Sequence, residues 1–178
     1  MKRFSYIICI LGVFVFQSFK TERAYVHSFS ETKFEANIAN FYILGPKQYD
    51  DTGKDISVGY RSNSQIELTH YIYPSIGQNA FQHFQEYKNS LLTSKRSAKL
   101  IVSTKVTTRD IPGNMAKFEF IEDFHGLNQK VFSYLYIYES KGWFTMIRAS
   151  CKATNAVSVE KEISEYLSSM PFPTSNYK

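Results

Sequence analysis

A chain of 178 residues with 43% hydrophobic and 16% aromatic side chains is long enough to bury one sizeable core and too rich in Phe, Tyr and Trp for a disordered chain. Its formal charge of +5 and pI near 9.1 suit a nucleic-acid partner, yet Lys2, Arg3 and Lys20 contribute three of those charges from a stretch without an acid. Without them, the 21 Lys and Arg against 16 Asp and Glu drop to 18 against 16, and the charge argument for DNA or RNA falls away.

Residues 1–20 join a basic start, Lys2-Arg3, to an apolar run over residues 4–16 and a polar exit, Gln17-Ser18-Phe19-Lys20. That is the layout of a secretory signal. The run is shorter than the roughly 20 residues of a spanning helix, but no pair of small residues at three-apart spacing follows it. The segment therefore reads as a signal peptide or as a membrane anchor over residues 4–19, and the protein as extracytoplasmic, periplasmic or secreted. Cys9 follows Tyr6-Ile7-Ile8 and does not fit lipid attachment. Loss of the leader leaves Cys151 as the one cysteine, so no intrachain disulfide can form.

Residues 21–37 are mixed and polar, a linker or lead-in with a first short strand or helical turn. A domain over residues 38–172 and a tail over 173–178 follow. From Phe41 the pattern is strand-like: FYILGP, the turn-rich KQYDDTGKD, ISVGYRS, a breaker at Asn63-Ser64, and QIELTHYIY, in which Ile66, Leu68, His70 and Ile72 share a face. The period then changes. Ala80, Phe84, Tyr87 and Leu91 recur at helical spacing over residues 79–97, with Asn79 and Gln82 placed to cap the start. Strands return in KLIVSTKVTTR, a turn at Pro112-Gly113, MAKFEFIED and a polar loop at His125-Gly126-Leu127-Asn128. After Cys151 a second helix aligns Val159, Ile163, Tyr166, Leu167 and Met170, and Pro171 and Pro173 stop it.

The organising stretch is residues 131–151, VFSYLYIYESKGWFTMIRASC, two alternating runs around Glu139-Ser140-Lys141-Gly142. Val131, Leu135 and Ile137 oppose Phe132, Tyr134, Tyr136 and Tyr138; Trp143, Thr145, Ile147 and Ala149 oppose Phe144, Met146, Arg148 and Ser150. Both faces are apolar or aromatic, which predicts a central hairpin covered on each side. The fold class is α+β, an α/β/α sandwich with a central, mainly antiparallel sheet covered by helices. The pieces QIELTHYIYPS and SYLYIYESKGWFTMIRASC, with a C-terminal amphipathic helix, resemble the PsbP-like superfamily, which includes photosystem II subunit P, the Ran-release factor and DcrB-type proteins. The resemblance covers roughly residues 38–170. It implies a binding or assembly module without a shared active site, in some DcrB-like members similar to chaperones that shelter hydrophobic segments of a partner.

No GxSxG elbow, P-loop or dinucleotide fingerprint is present. His27, His70, His83 and His125 sit in no metal or nucleophile pattern. Asp123 and His125 beside a loop give the one hydrolase reading, and two ligands fall short of the three or four a metal needs. The expectation is a non-catalytic exported module acting through protein contacts with an unknown partner, with no cofactor, metal or nucleic acid. The alternative is a lipid or hydrophobic-ligand binder using a concavity of Tyr134, Tyr136 and Tyr138. Two further candidates are Trp143, as a core plug or contact residue, and Arg148, which must reach the sheet edge, meet Glu119 or Glu67, or recognise an anionic ligand. Residues 88–109 hold six bases and no acid: Lys88, Lys95, Arg96, Lys99, Lys105 and Arg109. Spread across a helix end and a strand, they read as a scattered solvated surface, with a patch for an anionic membrane surface or acidic partner as the alternative and Lys95 and Arg96 as its test positions.

Overall fold

The computed structural model describes residues 23–124, 126–153 and 156–178. Strands β1 (Tyr25–His27) and β2 (Thr32–Phe34) form a small hairpin; β3 (Asn37–Ile38), β4 (Phe41–Gln48), β5 (Ile56–Ser62) and β6 (Glu67–Pro74) follow as a meander. Helix α1 (Ala80–Ser94) leads to a second meander, β7 (Lys99–Thr108), β8 (Ile111–Phe124), β9 (Leu127–Ser140) and β10 (Trp143–Lys152), and α2 (Ala156–Ser169) closes the order. The two meanders join through β6 and β10 into one sheet of order β3-β4-β5-β6-β10-β9-β8-β7, antiparallel throughout. The apolar hairpin β9–β10 stands in its middle.

The alternation read from the sequence is the alternation of the two cores. Leu68, Ile72, Tyr134, Tyr138, Trp143 and Ile147 pack with Val159, Ile163, Tyr166 and Met170 on the α2 side. Phe118, Val131, Leu135, Ile137, Phe144 and Met146 pack beneath Phe84 and Leu91 of α1. Two helices on opposite faces of an eight-stranded antiparallel sheet make the α+β sandwich. Asn79 caps α1: its side chain accepts from Gln82 N at 2.9 Å, and the Gln82 side chain accepts from Asn79 N at 3.4 Å. Glu139 Oε2 accepts from Ala80 N at 3.1 Å, which ties the start of the helix to the central hairpin.

One turn lies elsewhere than expected. The β7–β8 link is Arg109-Asp110, both at positive φ (49° and 65°), while Pro112 and Gly113 lie inside β8 opposite Thr107 and Val106. Two consecutive residues at positive φ suit the right-handed twist of a tight hairpin, and Lys141-Gly142 does the same between β9 and β10. Gly113 is required for a different reason: a Cβ there would lie 2.4 Å from Tyr138 Cδ1 and 2.8 Å from the Ile137 carbonyl oxygen.

The lead-in and the tail are both built into the body. Phe34 is fully buried, and His27 and Ser30 beside it are buried polar residues. Thr174 N and Ser175 N donate to Ser30 O at 2.9 and 3.1 Å, and Tyr177 N donates to Lys141 O at 2.9 Å. Trp143 sits where these pieces meet, 1% exposed, its Nε1 donating to Ser175 O at 3.1 Å and its ring edge-on to Tyr177 and His27.

Two substitutions test this packing. Trp143→Ala should cost roughly 3–5 kcal/mol through the cavity it leaves; an unchanged urea midpoint would show that the indole holds neither tail nor hairpin. Gly113→Ala should cost about 1–3 kcal/mol by forcing Tyr138 aside, and a neutral result would mean that ring moves freely.

Candidate functional site

The sheet is covered unequally. The α2 face is closed by α2, the N-terminal hairpin and the tail, whereas α1 lies over β8 and β9 and leaves the β4–β6 half of its own face open. Tyr42, Leu44 and Tyr49 are 39%, 42% and 47% exposed there. Where the open half meets the flank of α1, a groove of about 260 Å³ is lined by Tyr49, Asp55, Tyr71, Tyr73, His83, Tyr87 and Met146. Local structure explains the lining. Tyr71 and Tyr73 alternate with buried His70 and Ile72 along β6 and so point away from α2; His83 and Tyr87 are four apart on α1 and share a face.

The polar groups of the groove hold one another. The Gln78 side-chain oxygen can only accept, so His83 Nδ1 carries the proton donated to it at 3.2 Å, and Nε2 accepts from the Tyr73 hydroxyl at 2.6 Å. Burial lowers the His83 pKa, partly opposed by Glu86, and keeps the ring neutral. Burial raises Tyr73 and pushes Tyr71 up to about 12, with Arg148 pulling Tyr71 the other way. Asp55 is raised by burial and by Asp50. His83 also stacks on Phe144 at 4.6 Å. The result is an apolar, hydroxyl-studded surface on which burial keeps Tyr71 and Tyr73 protonated at neutral pH.

The residues singled out from sequence do not converge. Tyr134, Tyr136 and Tyr138 are buried against α2, and the ring edges of Tyr136 and Tyr138 reach only a separate cleft of about 330 Å³ with Arg109 and Ser164. Trp143 is on that same face, near the tail. Arg148 is on the α1 face, opposite Thr69, and its Nε is buried with no hydrogen-bond partner among the described residues. Glu119 is not its partner: it belongs to the other face and pairs with Lys130 at 3.3 Å. Glu67 shares the face of Arg148 and pairs with Arg61 at 2.9 Å. Lys95 pairs with Glu122, while Arg96 is exposed. His125 lies outside the described residues, so the His125–Asp123 expectation finds no geometry here. Sequence reasoning missed Tyr49, Tyr71, Tyr73, His83, Tyr87 and Met146. The His83/Tyr87 spacing and the Tyr71/Tyr73 alternation were available signals; Tyr49, in a turn-rich stretch, had none.

One arrangement looks like a nucleophile and its base. Ser30 Oγ is 2.6 Å from His27 Nδ1, and Thr32 Oγ1 is 2.6 Å from Ser30 Oγ. Because Gly53 O accepts from His27 Nε2 at 2.9 Å, the chain runs one way, Thr32 to Ser30 to His27 to Gly53. Ser30 is fully buried and the two ring nitrogens of His27 are taken by Ser30 Oγ and Gly53 O, with no carboxylate bonded to the ring among the described residues, so the chain is a structural staple. Among the described residues no group of three or more His, Cys, Asp or Glu is placed to hold a metal.

The solution structure of the cyanobacterial PsbP protein CyanoP from Synechocystis sp. PCC 6803 superposes with a TM-score of 0.54 over 82% of this chain and 89% of that one, at 12% identity. The fold is PsbP-like. A protein of unknown function from Pseudomonas aeruginosa, PA94, matches with a TM-score of 0.52 over 86% of this chain and 100% of that one, at 7% identity. No family model matches the chain, and no curated protein matches it in sequence. At these identities the PsbP-like likeness speaks for the fold and leaves the site to be argued from its own residues.

Two buried histidines, His27 and His70, and the half-buried His83 set the acid response. His70 is pushed down to about 3 by complete burial, and His27 and His83 are also lowered by burial. Each is neutral when folded and binds a proton near 6.5 when unfolded. Stability is therefore full above that value and falls as pH drops below it, by up to about 1.4 kcal/mol per pH unit for the fully buried His70 and by less for His27 and His83, whose shifts are smaller. Urea unfolding at a series of pH values should show this slope, reduced by about one proton in His70→Gln; a flat profile would contradict the neutral assignment.

Proposed function

We propose that this protein is a non-catalytic binding or assembly module that holds a partner protein on the open half of its sheet, with the groove beside α1 receiving an aromatic or aliphatic side chain of that partner. The observation that carries the reading is the exposed row Tyr42, Leu44 and Tyr49 continuing into the tyrosine-lined groove. Tyrosines that offer large apolar area with a hydroxyl at the tip are the side chains that dominate protein interfaces. The groove, at about 260 Å³, is smaller than the roughly 300–1,000 Å³ of sites that enclose a free ligand. That size favours an inserted side chain over a lipid. The basic-then-apolar layout of residues 1–20, outside the described residues, supports export or anchoring of the module.

The test is cross-linking of the tagged chain in native cells, with cross-linked positions mapped by mass spectrometry. Partner cross-links should cluster on β4–β6 and the flank of α1. Tyr49→Arg, at a half-exposed position and expected to cost about 1 kcal/mol of stability through the lost hydrogen bond to Ser57 Oγ, should leave the chain folded and reduce partner recovery at least roughly tenfold. Undiminished recovery, with cross-links elsewhere, would remove this surface from consideration. A small apolar molecule extracted in stoichiometric amount from the purified protein, and absent from Tyr49→Arg, would point instead to a hydrophobic ligand.

A further inference from the structure

The two edges of the sheet differ. On one side β3 covers only Phe41 and Tyr42 of β4, and the rest of that edge is interrupted by a register shift between Ile43 and Gly45 and by Pro46, which has no N–H to offer. On the other side β7 is ten residues long, contains no proline, and pairs with β8 alone among the described residues. Leu100, Ile101 and Val102 are 39%, 49% and 41% exposed. The β7–β8 register shifts between Leu100 and Val102, and beyond it Val102 to Thr108 run in unbroken register with no further strand on their outer side among the described residues, a template for another strand.

From Val102 onward the side chains say what that strand must be. Val102, Thr104 and Val106 lie opposite Lys117, Met115 and Gly113 on the α2 face, and Ser103, Lys105 and Thr107 lie opposite Ala116, Asn114 and Pro112 on the α1 face. One face is β-branched and suits β-branched apolar neighbours. The other carries Lys105, which makes no ion pair among the described residues. It borders a groove of about 520 Å³ formed with Ala80, Phe81, Pro112 and Glu139, whose carboxylate accepts from Ala80 N. The strand itself holds Lys99 and Lys105 and no acid, and Arg96 lies exposed just before it. Two copies of β7 side by side would bring four ammonium groups onto one seam with no carboxylate between them, an arrangement that like charges on neighbouring strands disfavour.

We infer that the outer edge of β7 takes up an extended segment of a partner protein in which β-branched apolar residues alternate with acidic ones, extending the sheet by one strand. Main-chain hydrogen bonds supply affinity, and the Lys105 face supplies preference for the acid. β8 and β9 separate this edge strand from β6 and β10, which line the tyrosine groove, so Lys105 and Tyr49 can be substituted independently.

The probe is a short N-acetylated peptide of alternating valine and glutamate, labelled for fluorescence anisotropy. Its counterparts are a valine–lysine peptide and a valine–glutamate peptide N-methylated at alternate positions. The valine–glutamate peptide should bind the full chain at about 0.05 M salt, slow hydrogen exchange at alternate amides of β7, and weaken roughly tenfold at about 0.5 M salt. The N-methylated peptide should not bind. Lys105→Glu, at an exposed site, should keep the melting temperature and exchange the preference, losing at least about tenfold for the glutamate peptide and gaining the lysine peptide. Equal binding of both charged peptides, exchange protection away from β7, or self-association through β7 with no peptide binding would each overturn the inference.

Discussion

The structure depends on the double-sided burial of the β9–β10 hairpin. Residues 143–147 are buried without interruption, and Val131, Leu135 and Ile137 point opposite to Tyr134, Tyr136 and Tyr138. An apolar surface on each side cannot be satisfied by one covering layer, since burying one face leaves the other in water at roughly 25 cal/mol per Å². Each helix supplies one apolar stripe, so two helices on opposite faces are the smallest complete solution. The same hairpin has a second open edge on β10, and β6 fills it over eight residue pairs. That pairing turns two local meanders into one sheet.

The two covers are unequal, and the consequences lie in what is left uncovered. On the α2 side the N-terminal hairpin and the C-terminal tail complete the seal around Trp143, joined to each other through Ser30 O. On the α1 side nothing comparable among the described residues reaches β4–β6. There the exposed residues are aromatic, and Ser57 and Gly59 beneath them are small enough for Tyr49 and Leu44 to lie across β5: Tyr49 OH is 3.1 Å from Ser57 Oγ, and Leu44 Cβ lies in contact distance of the position a Gly59 side chain would take. A face arranged in this way keeps apolar area in water, which a partner can then remove.

Groups with catalytic chemistry are used here as internal fasteners. His27 completes a hydrogen-bond chain between the N-terminal hairpin and the β4–β5 loop, His70 meets Tyr166 at 3.0 Å across sheet and helix, and His83 links α1 to Tyr73 of β6. Cys151 is buried, and its thiol is pushed up to about 11 by burial, which makes it a weak nucleophile. Each fastener bridges two elements, so the low dielectric that strengthens it also holds it in its neutral form.

What the sequence determined by itself was periodic. The two-residue alternation of the central hairpin, the helical recurrence of Phe84 and Leu91, the Asn79 cap and the buried stripe of α2 are each set by neighbours a few residues apart. They led directly to a sandwich with helices on both faces. Local pattern also misplaced the β7–β8 turn: Pro112-Gly113 has turn composition, but Gly113 answers to the ring of Tyr138, 25 positions away. Which aromatics are core and which are surface was likewise a tertiary decision. Tyr134 and Tyr138 resemble Tyr71 and Tyr49 in type, and only the position of α2 buries the first pair while the limited reach of α1 leaves Tyr71 half-buried and Tyr49 exposed. The candidate site draws on the β4–β5 loop, β6, α1 and β10, elements that approach one another only when β6 pairs with β10. Long-range pairing of that kind leaves no period in the chain, which is why the fold could be read and the groove could not.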